Sequence, residues 1–346
     1  MDQVDLSLDR RILVVAGKGG VGKSTFAAAI ALNAARAGLK TLLLGSDARE
    51  GLSHCLGTSK LVYKTRLVEP NLWATNISGR ESLEEFLILK LKVKLLYDQL
   101  LKRDLFHYFI AAAPGLEELF ILGKMWFLCQ PDGSGIKGVQ FDRIVFDAPA
   151  TGHGVSLFKT PQGILDTIRV GPIHHYTKDV LKLLTDPAHT AFHIVTLPEE
   201  MPVNEAIELD HTVRHDVGMH RGTTFVNGVY PEVVPAPLAG LWEKVRANPS
   251  KLATESGVEL DSKVATALVE GAERVLERRR LGDGYLERLR AEIPGPMVQV
   301  PYLFDTEPGR PLTDAVAASI LEQVGRDALG GPIAANRGAS RSGRRR

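Results

Sequence analysis

The eight residues Gly17-Lys18-Gly19-Gly20-Val21-Gly22-Lys23-Ser24 constrain this 346-residue chain more than any other feature. They match G-x-x-x-x-G-K-[ST], follow the apolar run Arg11–Ala16, and open the alanine-rich stretch Thr25–Ala37, which Gly38 ends. Strand, glycine loop and helix in that order make a phosphate cradle. The glycines let backbone N–H groups turn toward phosphate oxygens, and the helix N-terminus adds partial positive charge. On this reading Gly17, Gly19, Gly20, Val21, Gly22, Lys23, Ser24 and Thr25 bind nucleotide. Lys23 reaches the β- and γ-phosphates and the Ser24 hydroxyl ligates Mg²⁺, so ATP and Mg²⁺ are the expected cofactors. Gly17, Gly19 and Gly22 also satisfy G-x-G-x-x-G, with Asp47 after a second strand, which is the dinucleotide fingerprint. Lys23-Ser24 directly after the third glycine favours a triphosphate with metal instead.

Seven short apolar runs alternate with helical stretches: Arg11–Ala16, Thr41–Leu44, Leu72–Ile77, Phe141–Phe146, Phe192–Leu197, Thr223–Val226 and Met297–Pro301. Nearly continuous apolar strands belong in a sheet covered on both faces. The expected fold is therefore α/β, a mostly parallel sheet with helices on both faces. A helical insertion is expected over about 80–130 and a second helical region over about 238–292. With no linker visible, residues 1–330 read as a single domain. Residues 331–346 read as a disordered tail, since five of the 42 basic residues fall between Arg337 and Arg346. Without those five, 37 basic residues face 41 acidic ones, so the charge gives no support for a nucleic-acid surface. Two cysteines, Cys55 and Cys129, build neither a disulfide framework nor a cysteine-rich metal site. No apolar run reaches the length of a transmembrane helix, and Met1–Arg11 lacks a signal-peptide core. A cytoplasmic location is the expectation.

Lys18 is an extra lysine early in the loop. The phrase K-G-G-V-G-K-[ST] resembles the deviant Walker A motif shared by partitioning, septum-site, nitrogenase-iron-protein and ArsA/Get-type ATPases. The P-loop NTPase fold and a dimer follow from that resemblance, with Lys18 reaching the partner's nucleotide as an arginine finger does. Asp147-Ala148-Pro149-Ala150-Thr151-Gly152-His153 resembles the switch II of the ArsA/Get-type family, one residue shorter. Asp147, Pro149, Gly152 and His153 are its switch residues, and an aspartate at a strand's C-terminal end suits the Mg²⁺ shell, through water. In the family's switch I an aspartate orients the attacking water, a role that falls to Asp47. The family's following Pro and His are replaced by Ala48 and Glu50, as in one member of the paired bacterial ATPases, which puts the hydrolysis rate in question. Arg49 reads equally as a phosphate contact or a loop arginine. Weaker likenesses run through Ala113–Glu118, Gly171–His174 and Val195–Glu205, and Asn227 and Pro301 fall where the family holds adenine. The resemblance extends from Arg11 to about Gln323.

The family couples nucleotide state to a client or partner. The cysteine count disfavours an arsenite site, because arsenic(III) prefers several thiolates. The family's zinc-binding Cys-x-x-Cys is also absent, so a homodimer, or a heterodimer with a related ATPase, must form without it. Leucine-rich stripes over 88–100 read either as an inner core or dimer-contact helix or as an exposed surface for a partner or client, such as a hydrophobic membrane-protein segment. Between Leu89 and Leu95 alternation also permits a strand. Leu312, Val316, Ile320 and Val324 predict a terminal helix closing the sheet rather than a membrane anchor. A nucleotide-bound, non-hydrolysing scaffold subunit is the alternative function, and a partitioning or septum-site ATPase is the third reading.

Overall fold

The computed structural model describes residues 5–46, 51–91, 115–130, 133–150, 153–255, 257 and 261–332. In chain order its elements are β1 (Ile12–Ala16), α1 (Lys23–Arg36), β2 (Thr41–Gly45), α2 (Gly51–Cys55), β3 (Arg66–Glu69) and β4 (Leu72–Asn76). Then come α3 (Gly79–Leu91), α4 (Leu116–Leu128), β5 (Arg143–Asp147), α5 (His153–Thr167), α6 (Pro172–Thr185) and β6 (Thr190–Thr196). After α7 (Glu200–His211) and a π-helical turn, β7 (Arg221–Val229) leads into α8 (Ala239–Ala247), α9 (Pro249–Glu255) and α10 (Ser262–Glu292). β8 (Met297–Pro301) and α11 (Arg310–Val324) complete the series.

The strands form one sheet in the order β3-β4-β2-β5-β1-β6-β7-β8. Among the described residues every neighbouring pair is parallel except β3–β4. All seven expected strands are present, and the α/β class with helices on both faces is the observed architecture. β3 is the addition. Its sequence Arg-Leu-Val-Glu carries no apolar run because it is an edge strand, where Leu67 is exposed.

The apolar runs are continuous because alternate residues serve two cores. Ile12, Val14, Leu42, Leu44, Ile144, Phe146, Phe192 and Ile194 face one side. Leu13, Val15, Leu43, Val145, Ala191 and Val195 face the other. On the second side α1 lies between the sheet and α11, and every residue from Phe26 to Ala35 is buried. A helix covered all round carries no amphipathic stripe, which explains its run of alanines. The Asn33 side chain bridges the two helices, its amide donating to the Ala317 carbonyl at 2.8 Å. The terminal helix α11 therefore closes this layer, with Val316 and Ile320 in the core, as its spacing predicts.

The first side is covered by α3 to α7, together with the C-terminal part of α10 through Leu286 and Leu289. Of the expected insertion, α3 and α4 are seen and 92–114 lie outside the described residues. The chain is helical as far as Leu91, so up to that point the alternating stretch is not a strand. Of the basic tail, 333–346 lie outside as well. The second helical region is α8, α9 and α10, close to its expected bounds.

Candidate functional site

Parallel strands point their C-terminal ends the same way, and loops leaving those ends share one rim. The glycine loop leaves β1 between β5 and β6. Gly17 passes so close to β6 that a Cβ there would stand 2.1 Å from the Val195 carbonyl oxygen. Gly22, at φ 98°, caps α1, and a Cβ on it would meet the Asn227 amide nitrogen at 2.8 Å. α1 has neither a side-chain cap nor an acidic residue in its first turn. Its opening N–H groups are thus arranged for an anion.

The loop borders a cavity of about 190 Å³ lined by Gly19, Gly20, Lys23, Ser24, Asp147 and Pro149, with Lys60 and Asn76 across from them. At its floor the Ser24 hydroxyl donates to Asp147 Oδ2 at 2.6 Å, joining α1 to the end of β5. Asp147 is 8% exposed. A hydroxyl and a carboxylate side by side are hard oxygen donors of the kind Mg²⁺ takes, so these residues fit that ion. Lys23 Nζ donates to the Lys18 carbonyl at 2.9 Å, folding the loop over its own lysine. Thr25 Oγ1 lies 3.6 Å from Cys55 Sγ, behind the loop, where burial pushes the Cys55 thiol pKa up.

Lys18 takes another direction. Its ammonium donates to Glu205 Oε1 at 2.6 Å, on α7, and it is not among the described residues lining the cavity. Asn227 was expected just after a strand ending at Val226, but β7 runs on to Val229 and places Asn227 inside the strand. There its amide donates to the Val21 carbonyl at 3.0 Å, so it also braces the phosphate loop. Pro301 ends β8, opposite Val229 in the register. Beyond it Tyr302 stacks on Tyr230, centroids 5.0 Å apart, and Tyr302 also meets Phe304 at 4.7 Å. Asp47 and Gly152 lie outside the described residues, as does the side chain of His153, the first residue of α5.

Sequence reasoning overlooked Glu205 as the Lys18 partner, and also Lys60 and Asn76. Asn76 had a usable signal, because it ends a strand of the parallel sheet, where ligands gather. Glu205 and Lys60 carried none, since their approach to the loop depends on how α7 and the segment after α2 pack.

The sequence model of the anion-transporting ATPase family matches residues 10–170. The ATPase BagA of Mycobacterium tuberculosis is 31% identical over 206 residues, covering 57% of this chain and 59% of BagA. A putative arsenical pump-driving ATPase of Halobacterium salinarum is 29% identical over 243 residues, 65% of this chain and 36% of its own length. The arsenical pump-driving ATPase of Escherichia coli is 30% identical over 223 residues, 62% of this chain and 34% of its own. The chain thus spans less than two thirds of the length of each of these relatives. The family match takes in the glycine loop, its two lysines and the Ser24–Asp147 pair, and stops short of Glu205, Asn227 and Pro301. With its loop between a central parallel strand and a buried helix, the segment 10–170 is similar to the anion-transporting ATPase family, whose sequence model it matches.

Proposed function

We propose that this chain is an ATP-binding and ATP-hydrolysing switch that dimerises around nucleotide, as a homodimer or with a related ATPase. The observation that carries the reading is the Ser24–Asp147 hydrogen bond at the floor of the cavity that also holds Lys23 and the loop glycines. Gly17 to Thr25 cradle the phosphates, and Lys23 leaves the Lys18 carbonyl for the β- and γ-phosphate oxygens. Ser24, with Asp147 through water, holds Mg²⁺, which neutralises phosphate charge. Asp47 orients the attacking water. Lys18 stabilises, across the dimer, the charge that develops on the transferred phosphoryl group. Pro149, Gly152 and His153 sense the γ-phosphate, and Asn227 with the Pro301 loop holds the base. Hydrolysis then relaxes the dimer and changes the surface offered to a client. A hydrophobic membrane-protein segment is the client class we favour, with the protein working in the cytoplasm as one ATPase unit up to about residue 330.

The test is light-scattering mass of the purified chain, apo and with ATP and Mg²⁺, with phosphate release followed in the same samples. An ATP-dependent dimer that releases phosphate is the expected result. A chain that stays monomeric and releases none overturns the self-sufficient switch. That result would favour the scaffold subunit, for which Ala48 and Glu50 in place of the family's Pro and His are the motive.

A further inference from the structure

We infer that Glu205 is a positioning residue for Lys18, a latch in its own chain that holds the lysine away from a partner's nucleotide until ATP fills the loop. The inference rests on the reading of Lys18 as a residue acting in trans, and adds the device that governs it. The Lys18 ammonium and Glu205 Oε1 are 2.6 Å apart, and the two side chains are 27% and 30% exposed. A pair so close and partly shielded holds the lysine in one place at modest energetic cost to release. Glu205 stands on α7, which follows β6. The same strand contributes the Val195 carbonyl that presses on Gly17, at the loop's entry. The first half of the loop thus runs close against the β6 backbone and is tied through its side chain to α7.

A hydrogen bond joins the second half of the loop to the first. Lys23 Nζ donates to the carbonyl oxygen of Lys18, the residue that Glu205 holds by its side chain. A β- or γ-phosphate oxygen competes for the Lys23 ammonium and draws it off that carbonyl. The backbone of Lys18 then loses a donor, and the peptide carrying its side chain is free to rotate. Occupancy of the phosphate site is so transmitted over five residues to the Lys18–Glu205 pair. In an unliganded chain Lys18 is neutralised by its own α7. In an ATP-loaded chain it is released toward the face where a second copy docks. Premature dimerisation without nucleotide is disfavoured on this account, since it would break the pair and gain no phosphate contact.

The variant Glu205→Gln removes the charge and keeps the shape, and Glu205→Asp keeps the charge. Three quantities are read on each: labelling of Lys18 by an amine-reactive reagent in the apo protein, ATP affinity by direct titration, and ATP-dependent dimerisation with phosphate release. For Glu205→Gln the expectation is faster labelling of Lys18 and a modestly tighter ATP affinity, since ATP no longer has to open the pair. Dimer association or turnover should rise by roughly two- to fivefold, the worth of one partly exposed ion pair. Glu205→Asp should return all three toward the wild type. Unchanged Lys18 labelling in Glu205→Gln overturns the latch, and so does faster labelling with no rise in dimerisation or turnover. A purely structural role for Glu205 would instead lower the melting temperature and ATP affinity together, which also overturns it. Should the wild type show no ATP-dependent dimer while its apo Lys18 is still protected, the trans role of Lys18 fails, and the latch loses its purpose with it. The apo labelling keeps the two failures apart.

Discussion

Ser24 and Asp147 are 123 positions apart in the chain, yet their oxygens stand 2.6 Å from each other. The short bond makes each the orienting partner of the other, so the loss of the carboxylate should be felt through the metal before it is felt in the fold. Asp147→Ala is expected to weaken Mg²⁺-dependent ATP binding by roughly 10- to 100-fold, the range for groups that orient metal ligands. Binding measured without Mg²⁺ should change far less. Titration with a fluorescent ATP analogue, with and without Mg²⁺, checks this, and equal losses in both conditions would remove Asp147 from the metal shell. Lys23 and Lys18 show the same economy at this scale. One donates to the backbone of the other, so the two lysines of the glycine loop are directly joined.

Among the elements, α4 and α6 pack closely at Gly123. A Cβ built on Gly123 of α4 would lie 1.8 Å from the Tyr176 hydroxyl oxygen and 2.4 Å from its ring carbon Cζ. Tyr176 cannot step aside easily, because Phe86, Phe120 and Trp126 surround its ring at 4.7 to 5.9 Å. Burial there raises the Tyr176 phenol pKa above its ordinary value. The same packing brings α3 against α4, where Lys124 pairs with Glu85 and Tyr63 donates to Glu85 at 2.6 Å. Gly123→Ala should therefore cost about 1–3 kcal/mol by overpacking, read as a lower urea midpoint. ATP affinity should be preserved, since this contact sits on the sheet face away from the phosphate loop's helix. An unchanged midpoint would mean that α4 can shift freely, and that the root of the insertion is looser than its contacts indicate.

For the whole molecule, the end of the sheet opposite the phosphate loop is where the chain is fastened. The buried Arg143 guanidinium, at the start of β5, donates to the carbonyls of Asp9 at 2.6 Å and Arg10 at 2.7 Å, and to that of Leu329 at 2.5 Å. Burial draws its pKa down to about 10. It ties an early and a late segment to the strand whose other end carries Asp147. On β6, level with Asp147 through Val15, His193 is fully buried, accepts from the Thr223 N–H at 3.0 Å, and has its ring against Gly222. Desolvation holds its pKa at about 4, below the ordinary 6.5. The folded state therefore keeps His193 neutral where the unfolded chain already binds a proton. This contribution is intact above pH 6.5 and declines as pH falls toward 4, by about 3 kcal/mol in all. Urea unfolding from pH 8 to pH 4 should show that slope, and His193→Asn, which keeps an acceptor for Thr223, should flatten it. A stability independent of pH across that window would refute the assignment.

The strand–loop–helix of residues 11–37 was legible in the sequence because all of it is local. Glycine spacing, a preceding apolar run and an uncapped helix start are consequences of neighbouring residues. The seven long strands were legible for a related reason, since burial on both faces leaves an unbroken apolar run. β3 was not, because an edge strand borrows its hydrogen bonds from β4 and needs no such run. Nor was the true end of β7, which continues past Asn227 through pairing with β8 and so turns that residue toward Val21. The roles proposed for Lys23, Ser24 and Asp147 were read from residue types within two short local motifs. Which groups meet them was decided by packing: Glu205 reaches Lys18 only because β6 lies beside β1 and sends α7 back across the loop. Sequence spacing carries a motif's own geometry, while contacts between segments nearly 190 residues apart depend on where the sheet order places their strands.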